Sequence, residues 1–119
     1  DTYLANVWRK GNFYMAYWGM QATEDATFNL LLTSTASYED TGWHNAEFDD
    51  LVRRGRSISD PTERAAIYAK AQEIQLRDTP YIIAMYQDVL TASRDAVHGW
   101  SVHPLNRVFY VEDVWLDRG

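Results

Sequence analysis

Three kinds of residue in this 119-residue chain have chemistry to offer: its histidines, its adjacent acids and its serines. His98 and His103 stand five apart in a loop-like stretch, and His44 lies alone. A metal ligand pair at that spacing matches no zinc signature, and no acid accompanies it, so the three are read as surface histidines with no metal site. Acids adjoin at Glu24–Asp25, Glu39–Asp40, Asp49–Asp50 and Glu112–Asp113. Acid catalysis needs one desolvated carboxyl facing an ionised one across a cleft, which adjacency in sequence does not provide. None of the serines sits in a Gly-x-Ser-x-Gly elbow, and no glycine-rich phosphate loop occurs. With no cysteine, thiolate nucleophiles, thiolate metal sites and disulfides are excluded. No catalytic residue and no cofactor are assigned, and the chain is not expected to be an enzyme.

Binding is the chemistry that remains. The run YWGMQ places Trp18 at the end of an apolar segment, directly before Gly19. In open α/β sheets ligands gather outside the carboxyl ends of strands. There an indole stacks on a ligand, a glycine admits close backbone approach, and Gln21 offers a donor and an acceptor. The rival for Trp18 is ordinary core packing.

These residues must be held by the elements around them. Leu4, Val7 and Trp8 at helical spacing, with Gly11 as a stop, predict a short first helix. FYMAYW, residues 13–18, is apolar on both alternating faces and predicts a strand covered on both sides. Thr23 caps a helix that carries Glu24 and Asp25 at its positive end and runs through FNLLLTS. A polar loop with Tyr38 and Trp43 follows, and Trp43 is expected to pack over the next helix start.

Asn45 caps that helix. Phe48, Leu51, Val52 and Gly55 form its apolar stripe, with Asp49 and Asp50 facing out. Asp60, Pro61 and Glu63 give the strongest start signal in the chain, and the helix that follows runs to Asp78. It buries Ile67, Ala71 and Ile74 beside Tyr68, and Leu76 on its far side calls for a second contact. PYIIAMY, residues 80–86, predicts another strand apolar on both faces. Residues 87–97 suit an exposed edge segment, residues 98–107 a loop, and residues 108–117 a weak closing β segment.

Two strands are too few for a doubly wound domain. A chain that opens at Asp1 within a helical pattern and lacks strands is expected to be part of a longer one. Apolar residues make up 46%, so the chain is not disordered, and no apolar run approaches the ~18–20 residues of a membrane span. The net charge of −6 repels phosphate backbones, so nucleic acid is not an expected partner. Arg53, Arg54 and Arg56 are offset by neighbouring acids and read as a solvated helix face.

The order NAEFDDLV, then SDPTERAAIYAKAQEI, then DTPYIIAMY, then VHGWSVHPLN resembles the closing part of the extracytoplasmic solute-binding proteins of family 5. These are the dipeptide-, oligopeptide- and nickel-binding components of ATP-binding-cassette importers. The resemblance covers nearly the whole chain. It implies an α/β fold: the C-terminal part of the second lobe of a two-lobed, type II periplasmic-binding-protein-like architecture. Residues 1–86 would form part of that lobe, and 87–119 an extension returning toward the hinge and first lobe.

It also implies that Trp18, Gly19, Met20 and Gln21 line the cleft, with Tyr38 and Tyr86 as lesser contacts. The family's peptide binders often carry an acid where Gln21 stands. The neutral amide suits a sugar, an opine or another polar solute at least as well as a peptide, unless Glu24 or Asp25 supplies the charge. The implied partners are the solute, the permease subunits and the remainder of the binding protein; the implied location is periplasmic or extracytoplasmic. A stand-alone aromatic-rich interaction module, for instance one binding carbohydrate, is the alternative.

Overall fold

Helix caps and apolar stripes organise most of what folds here. The computed structural model describes residues 2–103, 105 and 111–117. Helix α1 spans Thr2–Asn6 and passes through turns to Gly11. Helix α2, Glu24–Thr27, begins where the Thr23 side chain accepts from the Ala26 N–H, and continues as a π-helical turn over Phe28–Leu32. Helix α3, Ala46–Ser57, starts at Asn45, whose Oδ1 accepts from the N–H groups of Glu47 and Phe48. Helix α4, Pro61–Asp78, starts at Asp60, which accepts from the Glu63 N–H at 2.8 Å. It ends at Thr79, whose left-handed backbone lets its N–H reach the Gln75 carbonyl.

The chain divides into two units. The first takes in the residues up to Tyr17 and Gln21–Ile82; the second takes in Trp18–Met20 and the described residues from Ile83 onward. In the first, α3 packs on α4, and the π turn closes the core. Phe28, Leu31, Leu32, Phe48, Leu51, Val52, Ile67, Tyr68, Ala71 and Ile74 are buried. Phe28 meets Phe48 and Tyr68 edge to face, and Trp43 meets Phe48 in the same manner at 5.0 Å, covering the start of α3 as expected.

Gly55 of α3 lies against Tyr68 of α4: a Cβ there would lie 2.5 Å from Cε1 of Tyr68. Gly55→Ala is therefore expected to lower stability. Overpacking costs about 1–3 kcal/mol, more than the ~1 kcal/mol gained in helix propensity. A thermal melt reads the difference, and a raised melting temperature would contradict this packing.

The Tyr68 hydroxyl donates to Asp25 Oδ1 at 3.0 Å. Burial, and then this bond to a carboxylate, push the phenol from 10.0 up to about 12. The folded value lies above the unfolded one, so the contribution to stability is complete below about pH 10 and is lost as pH rises through about 12. Phenolate absorbance is expected to lose one of its late-titrating tyrosines in Tyr68→Phe, those of Tyr81 and Tyr14 remaining. An unchanged titration curve in that variant would count against the assignment.

Several sequence expectations are corrected. Residues 13–18 and 80–86 join no ladder among the described residues, and Phe13, Met15, Tyr17, Ile82, Ile83 and Met85 are exposed rather than covered on both sides. A strand apolar on both faces forms only where neighbours satisfy its backbone and cover it, and the described residues supply none. Leu76 is 78% exposed, so the second contact expected for it is not supplied among the described residues. Asp49 does not face out: its Oδ1 accepts from the Ser34 N–H at 3.0 Å, which draws it onto the loop after the π turn.

The β structure lies elsewhere. In the second unit β1, Val97–His98, pairs antiparallel with β2, Trp115–Leu116. His98 is thus a ladder residue, half-buried, with its ring stacked at 4.2 Å on Trp115, not a loop histidine. Gly99 takes φ of +74°, and a Cβ there would strike the Asp113 carbonyl, so this turn requires glycine. Residues 108–110 of the expected closing β segment lie outside the described residues.

Candidate functional site

The six residues assigned to solute binding fall in both units. In the second unit, Trp18 and Gly19 are half-buried, Met20 is exposed, and Tyr86 is 90% exposed. In the first, Gln21 is half-buried and Tyr38 is 45% exposed. The Tyr38 main chain is pinned by its N–H donating to the Leu30 carbonyl at 3.1 Å, and its ring lies 6.3 Å from that of Trp8 at a 30° tilt. None of the six is charged, so they offer aromatic surface, a thioether and one amide.

Asp25 has a different employment. Its carboxylate accepts from Tyr68 and, at 2.9 Å, from the Asn29 amide, and it pairs with Arg56 at 3.5 Å. Arg56 also donates to Asn29 Oδ1 at 3.2 Å. The acid therefore ties the α2 segment to α3 and α4. Glu24 remains exposed in the first turn of α2.

A second carboxylate is buried in the first unit, one that the sequence marks only as a neighbour of Glu39. Asp40 is only 8% exposed. Its Oδ2 accepts from the Trp8 indole N–H at 2.9 Å, its Oδ1 accepts from the Tyr81 hydroxyl, and its main-chain carbonyl accepts from the Tyr14 hydroxyl. Burial, then the bond to Asp40, hold the Tyr81 phenol well above its ordinary value; burial raises Tyr14 as well. The neighbouring Glu39 is spent locally. It accepts from the Thr41 N–H and hydroxyl and from the Gly42 N–H, all at 2.7 Å. Burial works against its ionisation, but these donors prevail and hold its carboxyl below the usual range.

Sequence spacing could not reveal Asp40, because its partners lie 26 to 41 residues away. The one signal was its place beside Glu39 in an aromatic-rich loop.

A polar cleft of about 450 Å³ lies beside α3, lined by Asn29, Thr33, Asp49, Asp50, Arg53 and Arg56 among others. None of the six assigned residues lines it. Its arginines are already paired, Arg53 with Asp50 and Arg56 with Asp25, and Asp49 accepts from the Ser34 N–H. Among the described residues no three histidines or acids converge as a metal site would require, and no helix is long and apolar enough to cross a membrane.

No protein-family model and no solved structure matches the chain. Curated proteins do. The chain is 33% identical over 79 residues to di/tripeptide-binding protein 4 of Pseudomonas aeruginosa, a match spanning 66% of this chain and 15% of that protein. It is 30% identical over 117 residues to the probable deoxycholate-binding periplasmic protein YgiS of Escherichia coli, spanning 97% of this chain and 22% of that protein. It is 29% identical over 75 residues to the oligopeptide-binding protein AppA of Bacillus subtilis, spanning 62% and 14%. The chain thus spans less than a quarter of the length of these relatives. Those matches agree with the order of motifs in the sequence, and the chain belongs to the extracytoplasmic solute-binding proteins of family 5.

Proposed function

We propose that the chain is part of the solute-capturing component of an ATP-binding-cassette importer. Two lobes close on a peptide or another small polar solute, and the loaded protein delivers it to a membrane permease. No bond is made or broken. The observation that carries this is the similarity over 97% of the chain to a periplasmic solute-binding protein, joined by the di/tripeptide- and oligopeptide-binding relatives.

In this scheme residues 1–86 belong to the second lobe, near the C-terminus of the whole protein, and residues 87–119 return toward the hinge and first lobe. Trp18, Gly19, Met20, Gln21, Tyr38 and Tyr86 face the solute. Aromatic surface supplies contact area, and Gln21 supplies orientation; affinity requires both lobes. The partners are the permease subunits and the rest of the binding protein, in the periplasm or its extracytoplasmic equivalent.

The engagement of Asp25 favours a second reading of the solute. A buried ammonium needs a carboxylate partner, and the six assigned residues contain none. An amphipathic acid, of the kind named for the Escherichia coli relative, would lay its apolar body on the aromatic surface and direct its carboxylate to N–H donors such as the Gln21 amide.

A thermal-shift screen of the full-length protein against dipeptides and bile acids tests both. A solute at 100 times its Kd stabilises by about 2.7 kcal/mol, enough to raise the melting temperature measurably. Stabilisation by neither class would count against the proposal.

A further inference from the structure

We infer that Asp40 is a positioning residue: its carboxylate holds the Trp8 indole and, through that ring, sets the stance of Tyr38 toward solute. This rests on the proposed role of Tyr38 as a solute contact. Asp40 is almost wholly buried, yet among the described residues no lysine or arginine pairs with it. Its charge is held by two neutral donors, the Trp8 indole and the Tyr81 hydroxyl, one on each oxygen. A buried carboxylate so held is costly, and its bonds are correspondingly directional.

The consequence for Trp8 is geometric. With its N–H donating to Oδ2 at 2.9 Å, the indole is restrained, and its ring centroid lies 6.3 Å from that of Tyr38 at a 30° tilt. The Arg9 guanidinium also lies over the Trp8 ring, 5.8 Å from its centroid.

The main chain of this loop does not depend on the Asp40 carboxylate. Tyr38 N–H donates to the Leu30 carbonyl, the following turn is held by Glu39, and the Tyr14 hydroxyl donates to the Asp40 main-chain carbonyl. Losing the carboxylate should therefore turn the Trp8 and Tyr38 rings while leaving the loop in place.

The test uses full-length protein carrying Asp40→Ala, and Asp40→Asn as rescue. An asparagine can still accept from the Trp8 N–H through Oδ1 and donate to the Tyr81 oxygen through Nδ2. Nuclear Overhauser contacts between the Trp8 and Tyr38 rings are expected to be lost in Asp40→Ala and restored in Asp40→Asn. Trp8→Phe keeps a ring but removes the donor; it should lose the same contacts, and it serves as the test if Asp40→Ala does not fold. Contacts retained in Asp40→Ala, or in Trp8→Phe, would overturn the inference.

Binding is read with alanyl-alanine and deoxycholate as probes. Whichever binds should bind about tenfold more weakly to Asp40→Ala, with no further loss when Asp40→Ala is added to Tyr38→Ala. Additive losses would mean a merely structural role. If Tyr38→Ala binds like the wild type, or neither probe binds, the solute role of Tyr38 fails and the inference with it, a failure distinguishable from retained ring contacts.

Discussion

Phe48→Ala is expected to lower the stability of the helical unit by about 3–5 kcal/mol. Phe48 is fully buried in the first turn of α3. Three neighbours define its place: Phe28 at 5.2 Å, Trp43 at 5.0 Å, and the Asn45 cap that accepts its own N–H. Truncation removes the ring around which the π turn, the loop and α3 meet, and the caps hold the backbone so that it closes the void only in part. Native domains hold about 5–15 kcal/mol in total, so this loss would bring the unit near its unfolding threshold. Urea unfolding would show the midpoint falling with little change in slope. Leu76→Ala, by contrast, should change stability by no more than about 0.5 kcal/mol, because Leu76 is exposed. Equal losses in the two variants would refute this placement of the core.

Trp18→Ala in the full-length protein is the second large effect. A tryptophan at the centre of a binding site contributes about 2 kcal/mol or more on truncation, a loss of roughly thirtyfold in affinity. Trp18 is half-buried and precedes a half-buried glycine, so part of its surface remains available for stacking. The melting temperature without solute should stay close to that of the parent. If instead stability falls along with affinity, Trp18 is packing the interior and does not belong to the site.

The helices were legible in the sequence because their determinants are local. Thr23, Asn45 and Asp60 cap the helices they were expected to cap, and the α3 and α4 stripes bury the residues their spacing marked. The sheet was not legible to the same degree. The runs at 13–18 and 80–86 declare that they need cover on two faces, but periodicity cannot say where the cover comes from. The only ladder among the described residues joins two-residue strands 18 positions apart, a pairing that no local pattern announces.

The polar connections were hidden for the same reason. Asp25 was visible as a helix-start acid, whereas its bonds to Tyr68 and Arg56 span three elements. Asp40 was visible only as one of two adjacent acids, and its indole and phenol donors come from residues 8 and 81. For the six candidate site residues, the sequence contributed their types and the resemblance contributed their grouping.

Titration calorimetry on the full-length protein, first with alanyl-alanine and then with deoxycholate, tests solute capture most directly. One site per molecule, a Kd on the order of micromolar and a negative heat-capacity change from buried apolar surface are expected for one of the two. No heat of binding from either, in protein whose cooperative unfolding shows it to be folded, would contradict capture of a peptide or an amphipathic acid by this protein.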